Sequence, residues 1–187
     1  VTPWPDVGWK AATSSISDIA AMGGVPDFML VTLAIPEDFS LSAVDDICSG
    51  LSEASQLYRA GVVGGDIVRS QVVAITVSIT GHAQLNDDGK PMILKRNDAQ
   101  VGDVIVVTGQ LGATAGLRLL EDGINLDHPL IKKHLRPKPP LLTAQRAVSC
   151  DIRCGIDVSD GLIQDLSHVC ESSYRGAGAI LYADKKT

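Results

Sequence analysis

The sequence is poor in aromatic residues and basic charge, and it has no long apolar run. Phe, Trp and Tyr make up 4% of its 187 residues, and 22 acidic residues against 16 basic ones give a net charge of -6. A nucleic-acid surface needs clustered Lys and Arg, so this balance argues against one. No run approaches the roughly 18 apolar residues of a membrane span, and the polar start Val1–Pro5 does not resemble a signal peptide. We therefore expect a cytoplasmic protein that binds neither nucleic acid nor membrane.

Several common site motifs are also missing. The four cysteines form no CxxC pair, and we expect them to be reduced, buried thiols. Neither GxxxxGK[ST] nor GxGxxG occurs, which excludes a P-loop and a Rossmann fingerprint. The four histidines, His82, His128, His134 and His168, show no metal-ligand spacing, so we expect them to be structural or surface residues.

Hydrophobic periodicity predicts alternating helices and strands, a mixed α and β class. The pattern predicts helices around 12–20, 41–58, 113–120 and 162–170, with two short helices separated by 136–140, and strands at 28–35, 62–63, 72–81, 103–108, 154–158 and 176–182. A turn at 86–89 leads into 92–94. The polar stretch 95–102 marks a boundary, so we expect two domains, 1–94 and 95–187.

Four aspartates, Asp18, Asp66, Asp157 and Asp160, adjoin glycines or apolar runs. An unpaired carboxylate is costly beside buried structure. Either a bound cation or a set of helix-cap and turn hydrogen bonds would offset that cost. Mg²⁺ takes oxygen ligands and usually works with substrate phosphates, so the pattern suggests a magnesium–phosphate site.

Gly64-Gly65-Asp66 follows the predicted strand 62–63. Two glycines let backbone amides approach a phosphate, and the aspartate could hold a bridging metal. A tight turn with an exposed aspartate explains the same residues equally well.

The segment Asp157-Val158-Ser159-Asp160-Gly161 precedes a predicted helix. The helix N-terminus attracts anions, and Ser159 could bond a phosphate oxygen. An ordinary N-cap would explain one of these polar residues but not all three, so we favour a functional reading.

Asp18 and Arg96 are ambiguous from the sequence. Asp18 lies between Ile16 and Ile19, near the core edge of its helix, although a helical aspartate is most often a solvated residue. Arg96 could clamp a phosphate bidentately, but by default it is a surface arginine.

The chain resembles thiamine-monophosphate kinase, a family of the aminoimidazole ribonucleotide synthetase-like superfamily. The resemblance runs from about Gly8 to Ala179 and rests on motifs in a fixed order: Gly8-Trp9-Lys10-Ala11, Ser17–Gly23, Gly64-Gly65-Asp66, Gly102-Asp103, Val107–Gly112, His134-Leu135-Arg136-Pro137 and Ile156–Leu162.

The resemblance implies ATP-dependent phosphorylation of thiamine monophosphate to thiamine diphosphate with Mg²⁺. It implies Asp18, Asp66, Asp157 and Asp160 as metal ligands and Gly65, Asp66, Arg96 and Ser159 as nucleotide contacts, with no certain catalytic residue. It also implies a two-domain fold, an ATP- and Mg-binding first domain whose sheet forms a homodimer, and a second α/β sandwich domain.

The resemblance leaves alternatives. The family's first Asp and Thr/Ser-Asp segment would precede Val1, and its second domain would continue past Thr187, so we expect both domains to be incomplete. Ile67 replaces a usual threonine, and Pro140 a usual arginine. A sister synthetase of the selenophosphate or hydrogenase-maturation type, or an inactive nucleotide-binding or dimerisation module, stays open.

Overall fold

A computed structural model describes residues 2–173 and 176–182. The helices are α1 (Trp4–Ala21), α2 (Leu41–Tyr58), α3 (Ala115–Glu121), α4 (Pro129–Leu135), α5 (Leu141–Ser149) and α6 (Leu162–Ser173). The strands are β1 (Val25–Ile35), β2 (Gly61–Arg69), β3 (Ala74–His82), β4 (Gln84–Leu85) and β5 (Pro91–Met92). Helices and strands are mixed, as predicted.

The main sheet has three strands in the order β2-β1-β3. β2 runs parallel to β1, and β3 runs antiparallel to it. Thr32 in the central strand pairs with Asp66 on one side and with Thr76 on the other. Because paired residues point to the same side of a sheet, this register fixes which side chains share a face.

One face of the sheet is packed against α1 and α2. Ile16, Met29 and Ile47 are fully buried there, and each such side chain contributes on the order of 1.5–3 kcal/mol. The two helices approach closely because Gly8 faces Ile47 and Gly50 faces Pro5. A Cβ on Gly50 would lie 1.9 Å from the Pro5 carbonyl oxygen.

The opposite face of the sheet is open and partly apolar. Phe28 and Leu30 are 56% and 53% exposed, and Val63 on β2 is 61% exposed. Thr32 and Asp66 lie further along this face, since they alternate with the core-facing residues Met29 and Leu33. An apolar patch of this kind on a sheet commonly marks an interface.

The second half has shorter helices and fewer buried side chains. Among the described residues beyond 95, the buried apolar ones are Ile131, Leu135, Val148 and Val169. Val148 of α5 lies against Gly23, where a Cβ would be 1.9 Å from its Cγ2 atom. This contact joins α5 to the end of α1.

Several predicted helices are confirmed. α2 has the predicted bounds, and its N-cap Ser40 accepts a hydrogen bond from the Ala43 amide. The linker 136–140 separates α4 from α5 as predicted. The turn at 86–89 joins β4 to β5, and Asn86 Oδ1 accepts from the amides of Asp88 and Lys90.

Other predictions were wrong. Residues 103–108, 154–158 and 176–182 form no strands, apart from a single bridge between Lys95 and Cys154. A strand needs a hydrogen-bonded neighbour, and Val104 is instead 84% exposed. Conversely, the strand predicted at 62–63 extends over Gly61–Arg69, because β1 supplies a partner along its length.

The cysteine prediction is confirmed in part. All four thiols are free, but Cys48 and Cys150 are exposed, and Cys154 and Cys170 are only half-buried. Among the residues described, no helix has the length and apolarity to cross a membrane.

Candidate active site

The end of α1 brings three of the predicted site residues together. The Ser17 hydroxyl donates to Asp157 Oδ2 over 3.4 Å. The pKa of Asp18 is raised, first by partial desolvation and then by the negative charge of Asp157, while the positive charge of Arg96 opposes the rise. Asp18 and Asp157 are therefore close enough to repel each other, with a guanidinium nearby.

Backbone hydrogen bonds position Arg96 and Asp157 beside α1. The Leu94 amide donates to the Met22 carbonyl over 3.0 Å, which anchors the segment before Arg96 to the end of α1. The Lys95 amide donates to Arg153 and its carbonyl accepts from Gly155, at 2.7 and 3.3 Å. These bonds place the two segments side by side. Arg96 and Asp157, which are 78 or more positions from Asp18 in the sequence, therefore lie near it.

The Arg96 side chain is exposed, and among the residues described it makes no salt bridge. Its carbonyl, in contrast, is held, because it accepts from the Ser173 hydroxyl at 3.3 Å and from the Cys154 thiol at 3.8 Å. A fixed backbone with an unpaired guanidinium suits recognition of a phosphate.

The segment before α6 shows whether Ser159 or Asp160 acts as the helix N-cap. Asp165, which is 3% exposed, accepts from the amides of Asp160 and Gly161 through Oδ2, both at 3.1 Å. These two amides precede the first turn of α6. Among the described hydrogen bonds, neither the Ser159 nor the Asp160 side chain accepts from a first-turn amide. Asp160 Oδ2 instead accepts from Gln164 Nε2 at 3.5 Å, and both residues are exposed.

Asp160 also lies near a second set of ligand atoms. One ligand atom each from Asp160, Asp165 and His168 lies within 4.8 Å of the other two. From the sequence, His168 was expected to be a structural or surface residue, and Asp165 was not among the predicted site residues. Since Asp165 is occupied by two amide bonds, the cluster by itself is accounted for as the helix start.

Asp66 lies elsewhere in this chain. It belongs to β2, its residue is exposed, and its Oδ1 accepts from the Ile67 amide at 2.8 Å. Gly64 and Gly65 lie inside the strand rather than after it. A Cβ on Gly65 would lie 1.8 Å from the Val31 carbonyl oxygen, so strand pairing alone requires glycine there.

Asp66 and Asp18 do not meet within one chain. The Ser15 hydroxyl donates to Val77 of β3, which places α1 over β3, whereas β2 lies at the far side of β1. Two strand spacings separate β2 from β3, about 10 Å, and Asp66 points to the face away from the helices. Both carboxylates of one chain cannot bind a single ion with Mg²⁺–oxygen distances of about 2.1 Å.

Two residues of the site region were missed by the sequence analysis. Ser17 was noted only as part of a motif, although it bonds to Asp157. Asp165 could have been suspected, because an acidic residue in the first turn of a helix is a common partner of unsatisfied amides.

Comparison with known proteins agrees with the sequence motifs. Residues 1–85 match the family described as AIR synthase related protein, N-terminal domain. The fold containing them is the AIR synthase-like fold, of mixed α and β class.

The similarity continues through the rest of the chain. Thiamine-monophosphate kinase of Bacillus subtilis is 36% identical in an alignment of 177 residues that covers 90% of this chain and 53% of that protein. The kinase of Aquifex aeolicus is 34% identical in an alignment of 172 residues that covers 89% of this chain and 54% of that protein. The chain thus spans about half the length of the curated relatives it matches.

Solved structures give the same result. AaThiL complexed with AMPPCP and TMP superimposes with a TM-score of 0.82 at 33% identity, covering 91% of this chain and 54% of that one. The hydrogenase maturation protein HypE superimposes with a TM-score of 0.77 at 17% identity, covering 92% of this chain and 54% of that one. At that identity HypE shares the fold only.

Proposed function

We propose that this chain takes part in the ATP-dependent phosphorylation of thiamine monophosphate to thiamine diphosphate. The meeting of Asp18, Asp157 and Arg96 at the end of α1 carries the proposal. It is supported by the kinase relatives and by the solved relative that holds AMPPCP and TMP. HypE supports no sister activity, because its similarity extends to the fold alone.

The carboxylates fit a hard divalent cation. Asp18 and Asp157 supply oxygen ligands. Partial desolvation, and then the negative charge of Asp157, raise the pKa of Asp18, and a cation would relieve that repulsion. Mg²⁺ bound there would neutralise phosphate charge. Asp160 lies three residues after Asp157, with an exposed side chain that accepts from Gln164 Nε2 at 3.5 Å, and we assign it to the same metal-binding set.

The other proposed contacts are provided by the chain itself. Arg96 would hold nucleotide phosphate oxygens through its unpaired guanidinium, and Ser159 would donate a hydroxyl at the start of α6. The acceptor is already an anionic phosphate oxygen, so alignment and charge stabilisation suffice and no strong general base is required. A reaction without a strong general base agrees with the sequence analysis, in which no histidine was assigned a catalytic role.

The remaining predicted contacts lie away from Asp18 within one chain. Asp66 and Gly65 lie on or beside the open sheet face, about 10 Å or more from the helix layer that carries Asp18. The same face exposes Phe28 and Leu30. We propose that two copies pair through this face as a homodimer, and that Asp66 contributes to the site from across the interface.

Metal-dependent nucleotide binding tests the site assignment directly. Calorimetry with AMPPCP and Mg²⁺ should show affinity that Asp157→Asn and Asp66→Asn each reduce at least tenfold. Asp87→Asn, in the exposed 86–89 turn, is the matched control and should bind as the unmodified chain does. Unchanged affinity in Asp157→Asn or Asp66→Asn would refute that residue's role.

Mixed dimers test the shared site. Asp18→Asn and Asp66→Asn copies should each fail to bind Mg·AMPPCP as homodimers. If Asp66 acts across the interface, a mixture should regain up to one intact site per heterodimer. Failure of the mixture, with heterodimers verified by mass, would place Asp66 outside the site.

Product formation tests the activity itself. With Mg²⁺, ATP and thiamine monophosphate, mass spectrometry should detect thiamine diphosphate that disappears when Mg²⁺ is omitted. A folded chain that binds Mg·AMPPCP yet forms no product would restrict the proposal to nucleotide binding. We propose the cytoplasm as its location, where the four free thiols would stay reduced.

A further inference from the structure

A separate cavity opens between α1, α4 and the start of β3. It has a volume of about 370 Å³, and Lys10 and Ser14 of α1, Val73 and Ile75 of the β3 segment, and His134 of α4 line it. None of these residues belongs to the candidate active site. Lys10 and Asp18 are eight residues apart on α1, a rise of about 12 Å.

Lys10 is a cation without a carboxylate partner in the described chain. Its Nζ atom donates to His134 Nε2 over 3.1 Å, and no salt bridge to it is present among residues 2–173 and 176–182. Asp6, on the same side of α1, is instead within 3.6 Å of Arg136 Nε. Partial burial lowers the pKa of Lys10, as expected for an ammonium group removed from water without a counterion.

The cavity offers further donors beside this cation. An ammonium group has three hydrogens, and His134 takes one of them. Ser14 lies one helical turn beyond Lys10 on the same side of α1, where its hydroxyl is available as a donor. Two types of donor therefore line the cavity, and the Asp6 carboxylate that also lines it is paired with Arg136.

Much of the remaining lining is apolar. Val7 and Ala11 come from the face of α1 that also carries Lys10 and Ser14, and Val73 and Ile75 come from the β3 segment. A pocket with a few polar groups among apolar side chains suits a small amphipathic molecule. Lysine is a point-charge binder of phosphate, so Lys10 suits an oxyanion.

We propose that this cavity binds the phosphate group of a small phosphate monoester, with Lys10 and Ser14 as donors and the side chains of Val7 and Ile75 contacting its apolar part. His134 positions the Lys10 ammonium group by accepting one of its hydrogens. The site is independent of the kinase proposal, because it shares no residue with the metal and nucleotide set.

Butyl phosphate is the probe, and two-dimensional ¹H–¹⁵N NMR titration is the measurement. Butyl phosphate should shift amide signals of Lys10, Ser14 and Ile75 and bind several-fold more tightly than inorganic phosphate, which lacks the apolar part. Lys10→Gln should weaken butyl phosphate binding at least tenfold. Lys138→Gln, the same charge change at an exposed residue, should leave it unchanged.

Asp18→Asn separates this cavity from the candidate active site. Butyl phosphate binding that survives Asp18→Asn and is lost in Lys10→Gln supports the proposal. Binding that survives Lys10→Gln, or signal shifts centred on Asp18 and Arg96, would overturn it. If Lys10→Gln does not fold, Ser14→Ala takes its place, with an expected two- to fivefold loss, and no loss in that folded variant would also overturn the proposal.

Discussion

The two halves of the chain contain similar apolar segments but use them differently. In the first half, Ile16, Met29 and Ile47 are fully buried in one cluster between the sheet and two helices. In the second half, Val104 and Val106 are 84% and 79% exposed. Apolar composition therefore does not decide burial, and the availability of a paired strand or a packed helix does.

Matched isoleucine substitutions give the largest expected contrast. Ile47→Ala removes a fully buried side chain and should lower the free energy of unfolding by about 3 kcal/mol, from lost burial and the cavity left behind. Ile163→Ala, at a residue 76% exposed, should change it by less than about 0.5 kcal/mol. Urea unfolding followed by circular dichroism measures both, and equal losses would contradict the assignment of the core to the first half.

The helix α2 and two strands of the main sheet could be predicted, since 28–35 lies within β1 and 72–81 overlaps β3. The bounds of α2 were correct because helical hydrogen bonds form within the segment and its apolar residues repeat along one face. Strand bonds join distant segments, so the β-branched run 103–108 looked like a strand although no neighbour in the described chain pairs with it. For the same reason β2 is longer than predicted, because β1 forms eight residue pairs with it.

The candidate site shows the same limit. The residues flanking each aspartate identified it as a candidate site residue, but the sequence could not predict which aspartates lie close together. Asp18 reaches Asp157 only because Leu94 and Lys95 form backbone bonds to Met22 and Arg153. The placement of Asp66 on the open sheet face likewise depended on the register of β1 with β2.

Glycine substitutions sharpen the contrast in packing. Gly50→Ala places a Cβ 1.9 Å from the Pro5 carbonyl oxygen, so α1 and α2 must separate. The expected loss is about 2 kcal/mol, since overpacking a tight contact exceeds the gain in helix propensity. Gly178→Ala meets no atom within 4 Å and should be nearly neutral. Chemical denaturation of both variants decides the matter, and a neutral Gly50→Ala would show that the two helices are less tightly packed than described.

The smallest expected effect lies where the two halves meet, at Asp18. Its pKa is raised in the folded chain, so the stability linked to its protonated form is fully present below the unfolded value of 3.8 and is lost as pH rises through the folded value. At pH 7 without Mg²⁺, the ionised carboxylate therefore opposes folding. Asp18→Asn removes that charge and should raise the melting temperature by roughly 1–2 °C.

The pH and Mg²⁺ dependence of the melting temperature shows whether Asp18→Asn acts by removing a repelled charge or simply by introducing an amide side chain. The advantage of Asp18→Asn should shrink towards pH 4, where the carboxylate of the unmodified chain takes up its proton. Added Mg²⁺ should stabilise the unmodified chain and leave the variant unchanged, because a ligand that binds only the folded state raises its stability. A lower melting temperature for Asp18→Asn at pH 7 without metal would mean that Arg96 outweighs desolvation and Asp157, and that Asp18 is an ion-pair partner and not a carboxylate in need of a cation.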